Sequence, residues 1–370
     1  MISVFGSNIS EKEIRRVVEV LKSNWLGFGG KVTEFEKKFS EKLGTENFCM
    51  VDSGSNALFM AVKLLELPPG ADIILPSFTW VSCAQAILMA GHNPVFCDVE
   101  PDTMNVSAET ISPHITKKTK AIMIVHYAGK PVDLNPVMGL GLPIIEDAAH
   151  AVDSFYHGKA CGSITDVGIF SFDAVKNLTA GEGGGICTRD SKKIEEAKML
   201  RYCGIGKSGF EAASSSNSNN KWWEYNIIEP FIKMLPTNIA AAIASTQLER
   251  LPELQKKRKE IWDTYQKEFE KENWIIRPVD AESFEQHSYF TYVIRVPKRD
   301  ELAKHLFDNG IYTTLRYHPL HMNRVYNSNA RLKNTEQLNL DALSIPLHPN
   351  LTEENVSLII DQIRKFRERI

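Results

Sequence analysis

The sequence lacks the features that mark several large protein classes. No apolar run approaches the ~20 residues that cross a bilayer, so no membrane span is expected. Its six cysteines, Cys49, Cys83, Cys97, Cys161, Cys187 and Cys203, are scattered with no CxxC pair. That spacing offers neither a zinc site nor a disulfide framework and suits reduced, mostly buried thiols. An excess of one charge is also missing: 43 Lys and Arg against 46 Asp and Glu leave a formal charge of -3. There is thus no electrostatic case for nucleic acid or an anionic membrane as partner. The opening residues, MISVFGSNISEKEIRR, lack the basic-then-apolar layout of a secretory signal, and a cytoplasmic protein is expected.

What is present is an ordinary globular composition, 43% hydrophobic over 370 residues. That length allows two domains, or one large α/β domain with an appendage. Short apolar runs at Phe48–Val51, Asp72–Leu75, Pro94–Cys97, Ala121–His126, Pro143–Glu146, Val167–Phe172 and Gly185–Thr188 read as strands. Helical spacing lies between several of them, as in Ala57–Leu65, Val81–Met89 and Lys192–Leu200. Ahead of them, Ser10 and Glu13 form a capping-box pattern for a helix beginning at Glu11. The alternation predicts an α/β fold with a mainly parallel sheet covered by helices on both faces. Ligands of such sheets sit outside the carboxyl ends of the strands, where Ser53, Ser77, Asp147 and Asp173 fall. The polar stretch Ala212–Asn220 reads as a mobile loop. Thr237 can cap a long helix that Pro252 is expected to bend or interrupt. Beyond it, a strand at Tyr289–Val296, a helix at Asp300–Asn309, a strand at Ile311–Leu315 and a closing helix from Glu353 suggest a smaller α+β domain.

Four features follow one another along the chain. Ser53-Gly54-Ser55-Asn56 joins a strand to a helix, a setting in which free backbone N–H groups and hydroxyls can hold a phosphate. Trp80 follows the next strand and could stack on a flat ring. Asp147 ends the apolar strand of IIEDAAH, where an ionised carboxylate needs a cation or donors. Ser171 then precedes Lys176, a lysine set between a strand and a glycine run and a candidate Schiff-base nucleophile. Each alone has a plain structural reading: a helix cap, a core tryptophan, an ion pair, a solvated loop lysine. Together they are what pyridoxal phosphate requires.

On these segments, with WLGFGGKVTEFEKKF, PGADIILPSFTWVS, FSFDAVKNLTAGEGG and NIAAAIASTQLERL, the chain resembles the DegT/StrS sugar-nucleotide aminotransferases of the fold-type I pyridoxal-phosphate enzymes. The resemblance implies a large cofactor-binding domain over 1–237 and a smaller one over 238–370. It implies Lys176 as the Schiff-base lysine and Asp147 as partner of the pyridine nitrogen. His150 would lie near the ring's phenolic side, Trp80 on its face, and Ser55, Asn56 and Ser171 at the phosphate. Asn226 would reach the phosphate of a neighbouring subunit, implying a homodimer with shared sites. Arg316, His318 and His321 would lie near the nucleotide sugar. The implied reaction transfers the amine of L-glutamate to a nucleotide-linked keto-sugar. The 314–323 tract looks most like enzymes acting on C4 of dTDP-4-keto-6-deoxyglucose; a GDP-linked 4-keto-6-deoxymannose or amination at C3 are the alternatives. Two departures stand out: Asp173 replaces the usual His three residues before the lysine, and IIEPFIKMLP is inserted before the long helix.

Overall fold

The computed structural model describes residues 1–206, 223 and 225–367; the polar stretch 212–220 lies outside them. In chain order its strands begin with β1 (Phe48–Val51), β2 (Asp72–Pro76), β3 (Asn93–Cys97), β4 (Thr119–Val125), β5 (Ile144–Asp147) and β6 (Phe155–Tyr156). They continue with β7 (Lys159–Ala160), β8 (Val167–Ser171), β9 (Gly184–Thr188), β10 (Glu285–Gln286), β11 (Tyr292–Arg295) and β12 (Ala342–Ile345). The apolar runs before residue 190 assemble into one seven-stranded sheet of order β1-β9-β8-β5-β4-β2-β3. β2 pairs in parallel with β3 and β4, β4 with β5, and β5 with β8, while β9 runs against both its neighbours. β1, β5, β8 and β9 are buried along their whole length, as strands covered on both faces must be.

Two apolar layers cover the sheet. On one side Phe35 and Phe39 of the helix Gly30–Leu43 meet Phe48, Phe170 and Phe172. Phe39 stands edge-on to Phe170 at 5.1 Å, an arrangement that rings favour over face-to-face contact. On the other side Ala57, Leu58 and Ala61 of the helix Gly54–Leu64 pack with Cys83, Ile87, Ile169 and Ile186. A third cluster gathers Trp262, Tyr265, Leu306 and Ile359 around the β11–β12 pair.

The segment Ile311–Leu315 is not a strand, contrary to its β-rich composition. Ile311 and Thr314 make isolated bridges to Ile2 and Ser344, and β11 pairs instead with Ala342–Ile345. Its backbone groups are thus shared between the N-terminal segment and β12, and no continuous ladder forms. Pro252 also departs from expectation: the helix Asn238–Glu268 runs through it. Burial of Leu251 and Leu254 on either side offsets the ~3 kcal/mol that an interior proline costs. Thr237 does cap this helix, accepting from the Ala240 N–H at 3.1 Å.

Ser10 caps the helix Glu11–Lys22 with Glu13 in a capping box. Glu13 is buried and meets Arg250 of the long helix at 2.8 Å. Burial pushes its carboxyl up, but bonds from Ser10 and Arg250 prevail and hold it at about 2. Replacing Arg250 with Met leaves that carboxylate buried without its cation, and should cost ~3–5 kcal/mol in denaturant unfolding at fixed protein concentration. A loss under 1 kcal/mol would show that the pair contributes little.

Candidate active site

Because β1, β2, β5 and β8 run the same way, their carboxyl ends share one edge of the sheet. The residues that follow them line a cavity of about 360 Å³, within the range of small-molecule sites. Ser55, Trp80, Asp147, His150, Ser171, Lys176 and Arg316 all line it.

Asp147 closes β5, buried. Its Oδ1 accepts from the Ala149 N–H at 2.9 Å and its Oδ2 from the Cys83 thiol at 3.2 Å. Burial outweighs these donors and the charge of Lys176 and raises its pKa. The neighbouring Glu146 faces the other side of the strand. It accepts from the N–H groups of Gly162, Ile164 and Thr165 and from His126 Nε2 at 3.1 Å. Val132 N–H donates to His126 Nδ1, which fixes that tautomer and anchors the end of β5.

Lys176 lies within the loop that joins β8 to β9. Among the described residues its ammonium makes no hydrogen bond or ion pair; it lies 5.0 Å from the centre of the Phe290 ring. Burial lowers its pKa to about 8, helped by the charge of Arg316 and opposed by Asp147 and Asp173. Asp173 is tied down locally, accepting from the Val175 N–H at 3.0 Å. His150 stacks on Phe290 at 4.1 Å, and its Nε2 shares a 3.0 Å hydrogen bond with Tyr317. Burial, with the charges of Lys176 and Arg316, holds its pKa well below the usual value, so it is neutral. Its Nδ1 is buried with no partner in this structure.

The helix Gly54–Leu64 points its N-terminus at the same cavity. Ser53 caps it through the Asn56 N–H, and Ser55 Oγ meets Ser82 Oγ at 2.7 Å. A side chain at Gly54 would come within 2.8 Å of Ser171 Cβ, so glycine is what lets this hydroxyl group gather. Trp80, 53% exposed, stands at the mouth, tilted against Tyr317 at 5.6 Å.

Four predicted residues lie elsewhere. Asn56 turns back to bond Asp52 at 2.7 Å, because a helical side chain four residues on meets the residue before the cap. His318 is exposed and faces Asn339 at 3.2 Å. His321 is buried behind the cavity, where Ser77 Oγ bonds its Nδ1 at 2.6 Å and its backbone N–H at 3.0 Å, tying this tract to the end of β2. Asn226 is exposed and outside the cavity lining. In turn, Cys83, Tyr317, Phe290 and Phe5 were not foreseen. Cys83 lies three residues beyond Trp80 at helical spacing and Tyr317 beside Arg316, signals that were present. Phe5 and Phe290 are distant in sequence and carried none.

Residues 7–364 match the DegT/DnrJ/EryC1/StrS aminotransferase family. The chain belongs to this family. It is 35% identical, over 100% of its length and 97% of the relative's, to dTDP-4-dehydro-2,3,6-trideoxy-D-glucose 4-aminotransferase of Saccharopolyspora spinosa. Among solved structures it is similar to the aminotransferase TlmJ from Streptoalloteichus hindustanus, with TM-score 0.94 and 36% identity over 100% and 99% of the two chains. It is also similar to the pyridoxal-phosphate form of the sugar aminotransferase Spr1654 from Streptococcus pneumoniae, with TM-score 0.90 and 27% identity over 99% and 98%. The protein is a sugar aminotransferase dependent on pyridoxal phosphate.

The site fits that cofactor. A buried carboxylate raised by desolvation suits a ring N–H cation, an unpaired amine suits a carbonyl, and the gathered hydroxyls at a helix N-terminus suit a phosphate. Competitive acylation followed by peptide mapping of the cofactor-free protein should show Lys176 becoming reactive as pH rises through about 8. In Arg316→Gln the profile should move to higher pH, since a neighbouring positive charge that disfavours the ammonium is gone. An unmoved or lowered profile would contradict this electrostatic reading.

Proposed function

We propose that Lys176 carries the cofactor and that this enzyme transfers the amine of L-glutamate to C4 of dTDP-4-keto-6-deoxy-D-glucose, giving dTDP-4-amino-4,6-dideoxy-D-glucose. The observation that carries the reading is the unpaired Lys176 amine sharing a cavity with the buried Asp147. The 4-aminotransferase named among the relatives supports C4 and dTDP.

When bound, pyridoxal phosphate supplies an electron sink that makes the hydrogen beside a substrate amine removable. Asp147 would keep the ring nitrogen protonated, with Ala149 and Cys83 fixing its carboxylate. Ser55, Ser171 and the first N–H groups of the helix would hold the phosphate. Trp80 would pack against the ring, and neutral His150 would offer a hydrogen bond without adding charge. Lys176, with its pKa lowered to about 8, is neutral often enough near pH 7 to take a proton and return it. Arg316 receives an anionic group of the substrate.

The enzyme acts as a homodimer in the cytoplasm, with residues 1–237 carrying the cofactor and 238–370 forming a smaller unit. Asn226 serves the partner's phosphate; exposed Tyr225, Ile227, Ile228 and Ile232 around it support this, since such patches mark interfaces.

The test is to incubate purified protein with L-glutamate and a panel of dTDP-, UDP- and GDP-linked keto-deoxysugars, identifying products by mass and NMR. A 4-amino sugar from the dTDP substrate, with 2-oxoglutarate released, is expected. Amination at C3, or of GDP-4-keto-6-deoxymannose alone, would discard the specificity.

A further inference from the structure

The N-terminal segment passes over the cavity and is pinned at both ends. Ile2 donates to Gly310 O at 2.7 Å and accepts from the Tyr312 N–H at 2.9 Å. Val4 is buried, and Ser7 Oγ donates to Ala174 O, two residues before Lys176. A side chain at Gly6 would come within 2.8 Å of His348. Asn8 O accepts from Gln247 at 2.9 Å and from Arg250 at 3.2 Å. Phe5 is thereby set between two fixed points, and it lines the cavity.

Its ring lies 3.6 Å from Arg316 Cζ, and the guanidinium has Phe290 on another side at 5.0 Å. Arg316 makes no ion pair among the described residues; its Nη1 donates only a long 3.3 Å bond to Tyr317 Oη. Arg316 Cζ and Lys176 Nζ are each 5.0 Å from the Phe290 ring, so an anion on the one is near an amine on the other. Two aromatic faces can hold an arginine in place while leaving its N–H fork free, which a carboxylate partner could not do. The cavity also contains Asp147, Asp173 and Glu182. A mobile Arg316 would be drawn to one of these carboxylates and cease to be available.

We propose that Phe5 is a positioning residue for specificity: its ring holds the Arg316 guanidinium unpaired in the cavity so that it binds an anionic group of the substrates, a carboxylate or a diphosphate. This rests on the reading of Arg316 as a substrate-binding residue.

Calorimetric titration of the loaded enzyme with glutarate, which has carboxylates and no amine, and with dTDP tests it without turnover. Wild type should bind at least one probe, and Arg316→Gln should lose that binding; if it does not, the reading of Arg316 fails. Given that loss, Phe5→Leu should weaken the same probe about tenfold, and Phe5→Tyr should restore it to within about twofold. Weakening of glutarate alone identifies the carboxylate as the group held, and of dTDP alone the diphosphate. Unchanged affinity in Phe5→Leu, or equal loss in Phe5→Tyr at an unaltered melting temperature, would overturn the role of the Phe5 ring.

Discussion

The structure depends on keeping two ionisable groups buried in one cavity without pairing them. Asp147 and Lys176 both line it, and neither forms an ion pair with the other. Removing a charge from water without a partner is costly, and both groups respond by shifting toward their neutral forms. That arrangement is unfavourable as a fold device and useful as a site. It leaves an acceptor for a ring cation and an amine ready to react at neutral pH, on a framework that holds them apart.

The framework does this by direction and by anchoring. Parallel strands bring the ends of β1, β2, β5 and β8 to one edge, so residues far apart in sequence meet there. Glu146, held by three backbone N–H groups and His126, anchors the end of β5 from the opposite face. Cys83 reaches Asp147 from the helix after β2. Arg316 remains unpaired between Phe5 and Phe290, and its charge helps keep the Lys176 amine neutral.

Much of this was legible in the sequence because it rests on local pattern. The strands of the large sheet are short apolar runs bounded by turn residues, and their carboxyl ends pointed to Ser53, Asp147 and Asp173, while the order of motifs along the chain pointed to Ser55, Trp80, Ser171 and Lys176; all of these line the cavity. What was illegible depends on contacts between distant segments. Ile311–Leu315 has strand composition, but Ile2 and Ser344 take its hydrogen bonds. Pro252 should break a helix, but packing on both sides carries the helix through. Asn56 stands in a phosphate motif, and His321 in a basic tract. Asp52 and Ser77 engage their side chains away from the cavity. Nothing near Phe5 announces that it meets a residue more than three hundred positions away.

The central claim is that Lys176, opposite Asp147, is the residue that holds the cofactor. Borohydride reduction of the loaded enzyme, followed by digestion and mass spectrometry, tests it most directly. The account predicts a pyridoxyl group on Lys176 and on no other lysine. A pyridoxyl group on another lysine, with Lys176 unmodified, would contradict it.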